Sequence, residues 1–442
     1  MRDFLPEDVR RRRYVIDIIT RVYQRYGFEP LETPAVENLA TLVGKYGDEG
    51  SKLIYKILKR GEHEKTGEAD LALRYDLTVP LARVMAQHQS KLPRLFRRYQ
   101  IQPVWRADRP ARGRFREFYQ CDVDLLGSTS PVVEAELCAA VSDVLTELGF
   151  NDFVIRLNDR RVLTALLGAA GVDVELHGPA LVALDKFDKI GADGVAGELT
   201  ARGIGSEASE TLMSFFNVRV GADSAAHSCD DELDRLGGYI RDEAGRAALE
   251  NLRTIVGLAG GTRAAGRIRV DPSLARGLSY YTGAIMEIAV PDLAGSIGAG
   301  GRYDNLIGMF SRQDIPACGF ALGLERVLLV MAERDMFPPE LSSSPADVMV
   351  ALFDASTAPH AMRVADQMRA AGLRVLVYPD AEKLGKQIKY ADGRGVPFVA
   401  LLGDDEIEAG TVTVKDLSAQ TQHTYEQAAA GAAILEALRQ RG

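Results

Sequence analysis

"VWRADRPARGRFREFYQCDVD", residues 104–124, sits in a chain of 442 residues whose formal net charge is −9. Arg106, Arg109, Arg112, Arg114 and Arg116 all fall inside this stretch, shortly after Arg97 and Arg98. The flanks "RYQIQPVWRA" and "FREFYQCDVDLLG" alternate apolar and polar residues, and "DRPARGR" interrupts them. That pattern predicts two strands joined by a polar loop, a hairpin with a basic tip. An arginine aimed inward from an alternating strand needs a partner, because an unpaired buried charge is costly. Arg106 holds such a position. Arginine suits an anionic phosphate because its fork pairs bidentately and never deprotonates. The acidic balance of the whole chain argues against nonspecific coating of nucleic acid, while leaving room for a local patch directed at phosphates.

The pattern on either side of the hairpin extends this reading. Pro6, then Glu7 and Asp8, then Val15, Ile18, Ile19, Val22 and Tyr23 at helical spacing, predict a first helix that stops near Gly27. "FEPLETPAV" reads as an extended, proline-broken strand, and "LIYKILKRG" with "DLALRYDLT" as a long hairpin. "VPLARVMAQHQSKL" is helical. After the basic hairpin come a helix, "PVVEAELCAAVSDVLTELGF", and a strand, "DFVIRLND". Residues 172–262 carry short helical pieces and no strong strand candidate, which predicts an inserted helical subdomain. Strand patterns return in "RIRVDPSL", "YYTGAIMEIAV" and "SIGAGGRYDNLI", and "ACGFALGLERVLLVMAERD" reads as strand then helix. Residues 337–345 form a Pro- and Ser-rich linker. Beyond it, residues 346–442 alternate short apolar strands with helical stretches, the pattern of a separate α/β domain.

Length alone predicts two or three domains. A hydrophobic content of 46% and a charged content of 26% are those of an ordinary globular protein. No apolar run approaches the roughly 20 residues needed to span a bilayer, and the N-terminus opens with charge. The expectation is a cytoplasmic protein without membrane association. Cys121, Cys138, Cys229 and Cys318 are scattered without a CxxC, so neither a disulfide framework nor a zinc ribbon is supported. None of the 6 histidines falls in a metal-ligand spacing, and no metal site is expected.

Several of these stretches together resemble a known family. "WRAD", "RPARGR" and "FREFYQCDVD" look like motif 2 of a class II aminoacyl-tRNA synthetase, "ACGFALGLER" like motif 3, and "YGFEPLETPAVE" like motif 1 with Pro34 as its proline. "LARGLSYYTG" at 274–283 and "SIGAGGRYDNLI" at 296–307 resemble the two signatures specific to the histidyl-tRNA synthetase family. The resemblance runs the length of the chain, and residues 346–442 are similar to an anticodon-binding domain. It implies an α+β catalytic domain over residues 1–336, with the antiparallel class II sheet flanked by helices, and a homodimer formed through the motif 1 region. The implied partners are L-histidine, tRNA(His) and ATP with Mg2+ as a substrate complex, with no tightly bound cofactor.

Site residues follow from the same resemblance. Arg106 would hold the α-phosphate and Phe118 would stack on adenine, with Asp108 and Arg114 beside them; Arg326 would cover the nucleotide and reach toward the γ-phosphate. Arg276 would lie where the amino acid's carboxylate meets the α-phosphate and help catalyse adenylate formation. Family members often carry aspartate where this chain has Ser279. Asp76 and Thr78, flanking Leu77, would grip the substrate ammonium, and Tyr280 and Tyr281 would line the pocket, although ordinary sheet packing also explains a tyrosine pair. Gln120 and Asp124, four residues apart, share one strand face and match the family's histidine-reading pair. Neutral imidazole offers one donor and one acceptor, which suits an amide and a carboxylate. Gly298, Gly300 and Gly301 would let backbone approach a ligand, or simply make a tight turn.

Arg109 and Arg112 at the loop tip would meet the tRNA acceptor end, or form a solvated hairpin tip. Lys383, Lys386 and Lys389 recur every third residue on a predicted helix and would face RNA backbone or water. The reading from another functional class is a catalytically silent paralogue that regulates histidine biosynthesis. Such regulators lack the anticodon domain and erode RGLxYYTG. Synthetases for threonine, proline or glycine share the general motifs but not the YY element.

Overall fold

A computed structural model describes residues 1–61, 66–216, 228–275, 280–342 and 344–440. The chain divides into two compact units, Met1–Phe337 and Pro338–Gly442. In the first unit, α1 (Pro6–Arg25) buries the stripe Val15, Ile18, Ile19, Val22 and Tyr23, with its acidic first turn at the positive end of the helix dipole. β1 (Glu29–Pro30) and β2 (Val36–Asn38) follow, then the short α2 (Leu39–Leu42) and α3 (Gly47–Lys52). β3 (Lys56–Leu58) pairs antiparallel with β4 (Ala69–Leu73), whose other edge takes β2, and α4 (Thr78–His88) comes next.

The basic hairpin is β5 (Phe96–Trp105) and β6 (Glu117–Leu126). Its antiparallel register sets Arg98 against Asp124, Gln100 against Asp122 and Gln102 against Gln120. After α5 (Val132–Glu147), β7 (Val154–Asp159) and α6 (Arg160–Ala169), the helical stretch comprises α7 (His177–Leu184), α8 (Phe187–Ala201), α9 (Ser206–Phe216), α10 (Cys229–Tyr239) and α11 (Glu243–Ala259). β8 (Ile268–Val270), β9 (Ala284–Ala289), β10 (Ser296–Arg302) and β11 (Ala317–Gly323) lead into α12 (Leu324–Glu333). The large sheet runs β1-β5-β6-β11-β10-β9-β7-β8. It is antiparallel except at its margins, where β1 joins β5 and β8 joins β7 in parallel.

Alternation along β6 gives the sheet two different faces. Cys121, Val123 and Leu125 join α1 and α5 in the main apolar core. Gln120, Asp122 and Asp124 point the other way and are also buried. The described helices between residues 172 and 262 pack onto the rest of the unit: Leu184, Leu199, Leu212, Leu236 and Leu252 belong to the same continuous core as β7 and α5. Spacing within each helix shows which face is apolar and not what covers it. A smaller core, with Tyr46, Tyr75, Leu81, Phe96, Tyr280 and Tyr303, lies beside the buried polar face.

The second unit contains β12 (Val348–Val350), α13 (Ala358–Ala370), β13 (Val375–Val377), α14 (Leu384–Gly393), β14 (Phe398–Leu401), α15 (Asp404–Ala409), β15 (Thr411–Asp416), β16 (Thr421–Glu426) and α16 (Gln427–Arg439). Its sheet runs β13-β12-β14-β15-β16, with the first three parallel and the last two an antiparallel hairpin. The apolar parallel strands match the sequence reading. β16, "TQHTYE", is almost wholly exposed at the sheet edge, so it carries no apolar alternation to read. No helix among the described residues is long and apolar enough to cross a membrane.

Candidate active site

The site is built on the polar face of β5 and β6. Arg98 is fully buried there, at 0% exposure, and its Nη2 lies 2.8 Å from Asp124 Oδ2 and 3.7 Å from Asp122 Oδ2. The same guanidinium donates to Gln100 Oε1 at 3.2 Å and to the Leu77 carbonyl at 3.5 Å. On the other side, the Tyr303 hydroxyl donates to Asp124 Oδ1. Gly319 on β11 faces Asp124, and a Cβ there would lie 1.8 Å from Asp124 Oδ1. Only glycine leaves that carboxylate its place.

A second wall rises from the turn before α4. Asp76 Oδ1 accepts from the Tyr46 hydroxyl at 2.9 Å and the Val79 N–H at 3.1 Å, and Oδ2 accepts from the Tyr280 hydroxyl at 3.1 Å. Tyr280 stands edge-on to Tyr281 at 5.1 Å and to Tyr303 at 6.0 Å, and its hydroxyl also meets the Thr78 side chain. Burial pushes the carboxyls of Asp76, Asp122 and Asp124 above the usual range, most strongly for Asp122, against the pull of Arg98 on the β6 pair. Burial likewise raises Tyr280 and Tyr281. Asp122 and Asp124 thus meet at the buried Arg98 guanidinium, with Asp76 close enough to interact with both carboxyls and the buried Arg74 guanidinium close to Asp122.

Arg106 lies near enough to Asp76 and Asp122 to favour their charged forms. Its Nε donates to the Tyr75 carbonyl at 3.0 Å, and its guanidinium lies 4.3 Å from the Tyr75 ring and 5.1 Å from the Phe118 ring. The cation and an aromatic face therefore adjoin. Arg326, on α12, donates to the Gly113 carbonyl at 3.1 Å and to the Ser296 carbonyl of β10, joining the basic loop to the sheet. Arg114 lies 3.7 Å from Asp108. Arg112 pairs with Glu333 of α12 and donates to the Asp292 carbonyl at 3.2 Å, while Arg109 is exposed at the tip.

The structure therefore brings Asp76, the Leu77 carbonyl, Thr78, Asp124, Tyr280 and Tyr281 into one cluster, with Gln120 on the same face of β6 and Arg106 beside Phe118. Arg276 and Ser279 lie outside the described residues. At Gly300 and Gly301 the neighbouring strands leave no room for a side chain: a Cβ at Gly300 would come 2.3 Å from the Gly319 carbonyl, and one at Gly301 2.7 Å from the Ala284 carbonyl. Sequence reasoning missed Arg98, Asp122, Tyr46 and Tyr303. For Arg98 a signal existed, because Arg98, Gln100 and Gln102 alternate on the strand facing Gln120, Asp122 and Asp124. Tyr46 and Tyr303 reach the pocket through tertiary packing alone. Among the described residues, no group of three or more His, Cys, Asp or Glu could hold a metal ion.

Residues 1–327 match the family described as histidyl-tRNA synthetase, and residues 347–437 match an anticodon-binding domain. A histidine–tRNA ligase of Christiangramia forsetii is 40% identical, covering 96% of both chains. One from Porphyromonas gingivalis is also 40% identical and covers 94% of both. The crystal structure of a histidyl-tRNA synthetase from a Nostoc species superposes with a TM-score of 0.78 at 32% identity, covering 98% of this chain and 97% of that one. With a matched catalytic core, a matched second domain and full-length relatives, the chain belongs to the histidyl-tRNA synthetase family.

Proposed function

We infer that the chain is a histidine–tRNA ligase: it activates L-histidine with ATP to histidyl-adenylate and pyrophosphate, then esterifies the 3′ end of tRNA(His). The observation that carries this reading is the group of buried carboxyls, Asp122 and Asp124 at Arg98 and Asp76 held by Tyr46 and Tyr280, with Arg106 and Phe118 nearby. Asp76 and Thr78, with Leu77 between them, receive the α-ammonium, and Asp124 and Gln120 mark the wall that reads the ring. Tyr280 and Tyr281 close the pocket. The histidine carboxylate is already ionised and attacks the α-phosphate without a general base, so catalysis rests on preorganised cations. Arg106 meets the α-phosphate, Phe118 stacks on adenine, and Arg326 covers the nucleotide with Asp108 and Arg114 alongside. Arg276 serves the junction of carboxylate and α-phosphate. Mg2+ enters with ATP. Arg109 and Arg112 face the acceptor end of the tRNA, Arg112 exchanging its Glu333 contact to do so, and the second unit takes the anticodon arm. A cytoplasmic homodimer joined through the motif 1 region around Pro34 completes the proposal. The anticodon-binding match speaks against the silent-regulator reading, since such paralogues lack that domain.

Asp124→Asn is expected to raise the KM for histidine by roughly 10–100-fold, the worth of a hydrogen bond to a charged group, and to leave the KM for ATP nearly unchanged. Steady-state pyrophosphate exchange at varied histidine and ATP measures both. A rise confined to ATP would place Asp124 outside the amino acid pocket. Gly319→Ala should act on the same constant by displacing the Asp124 carboxylate, with an increase of about tenfold. If the alanine variant binds histidine normally, the close approach at Gly319 does not hold Asp124 in its working position.

A further inference from the structure

Glu325 lies in the first turn of α12 and has no part in the reading above. It is 3% exposed, and its two carboxylate oxygens make different contacts. Oε1 lies 2.7 Å from Nη1 of Arg12 on α1, and Oε2 accepts the Tyr119 backbone N–H at 2.8 Å. The buried Arg12 guanidinium lies over the rings of Phe4, at 4.0 Å, and Tyr119, at 4.7 Å. Both oxygens are thus engaged, at a helix end whose dipole favours a negative group.

β6 and β11 pair as far as Gln120 opposite Gly323, where the chain turns into α12. The next N–H along β6, that of Tyr119, is taken by the Glu325 side chain in place of a strand partner. That N–H belongs to the peptide unit that carries the Phe118 carbonyl, and the residue after Glu325 is Arg326. One carboxylate therefore joins the backbone at Phe118 to the helical turn that projects Arg326. The far end of Arg326 is steadied separately, by the Gly113 and Ser296 carbonyls. We propose that Glu325 is a positioning residue for the nucleotide: its bond to the Tyr119 N–H fixes the spacing between the Phe118 ring and Arg326, with Arg12 as its buried counter-charge. A gap held at fixed width favours a planar base because binding then orders no side chain.

This inference rests on the nucleotide reading proposed above, and its test separates the two. Glu325→Ala cuts the tie to Tyr119, Glu325→Gln keeps an acceptor for it, and Arg12→Met removes the counter-charge while leaving the tie. The KM values for ATP and histidine in pyrophosphate exchange are measured on the full chain, with thermal unfolding alongside. Glu325→Ala should raise the KM for ATP by roughly 10–100-fold, as when a backbone donor loses a charged acceptor, and leave the KM for histidine nearly unchanged. Glu325→Gln should recover most of that loss. Arg12→Met should unfold at a temperature at least as low as Glu325→Ala, because it strands a buried carboxylate, yet keep an ATP KM close to that of the wild type. An ATP KM that tracks unfolding temperature across the three variants, or a histidine KM that rises equally, makes the pair structural and overturns the proposal. Arg326→Ala checks the reading underneath. If it leaves the ATP KM unchanged, the nucleotide assignment fails and takes the proposal with it; if it raises the KM while Glu325→Ala does not, the proposal alone falls. Should Glu325→Ala not fold, Arg12→Met combined with Glu325→Met replaces the buried pair by apolar side chains, which preserves stability. A raised ATP KM in that double variant supports the proposal, and a normal one refutes it.

Discussion

Arg106→Ala should lower the rate of histidine-dependent adenylate formation by roughly 100–1000-fold, the usual cost of removing one preorganised group that meets developing charge. Arg106 is fixed before any nucleotide arrives: its Nε is tied to the Tyr75 carbonyl at 3.0 Å, and its guanidinium carbon lies over the Tyr75 and Phe118 rings. The remaining donors are presented without further reorganisation, which is what makes such a cation effective in a transition state. Lysine should recover little, because it lacks the planar fork and the stacking surface. Single-turnover adenylate formation reads the loss, and thermal unfolding separates it from damage to the fold. A loss below about tenfold in a folded variant would remove Arg106 from the reacting phosphate.

Arg98→Met is expected to destabilise the first unit by about 3–5 kcal/mol, since deleting one member of a buried ion pair strands the other. Here the stranded group is Asp124, with Asp122 and Asp76 already crowded nearby. The sign of the pH dependence follows from the carboxyls. Their folded pKa values are already raised by burial, and losing Arg98 raises those of Asp122 and Asp124 further. The folded state then holds protons that the unfolded chain has released, so stability falls as pH rises through those values. The deficit should therefore shrink on acidification. Adding Asp122→Leu and Asp124→Leu to the methionine variant should restore much of the stability, because apolar replacement of a whole buried charge cluster is often neutral. Histidine use should remain lost. Denaturant unfolding at several pH values checks this; a deficit that grows toward acid pH would mean that Arg98 is not the counter-charge of these carboxyls.

Much of this architecture was readable because local pattern and tertiary role coincide. The alternation of "RYQIQPVWRA" and "FREFYQCDVDLLG" gave β5 and β6, and with them the shared face of Gln120 and Asp124. Arg98 is not singled out by the sequence, where it adjoins the basic stretch, although it lies eight residues before Arg106 and directly across the hairpin register from Asp124. Charge density along the chain says nothing about which arginine is buried. Tyr46 and Tyr303 reach Asp76 and Asp124 across the fold, a proximity with no local signature. Likewise, Gly300 and Gly301 looked like ligand-approach residues in isolation, and only the register of β9, β10 and β11 reveals that neighbouring strands demand them. The edge strand β16 was invisible for the opposite reason: it buries too little to leave an apolar pattern.

The central claim is that a buried acidic wall beside Arg106 chooses histidine and presents it to ATP. Pyrophosphate exchange, measured with each of the common amino acids in turn, tests it most directly. The account predicts exchange with histidine and rejection of apolar and non-imidazole side chains by roughly 10^4 or more, as expected where buried polar groups would be left unpaired. Robust exchange with a different amino acid, or none with histidine, would contradict it.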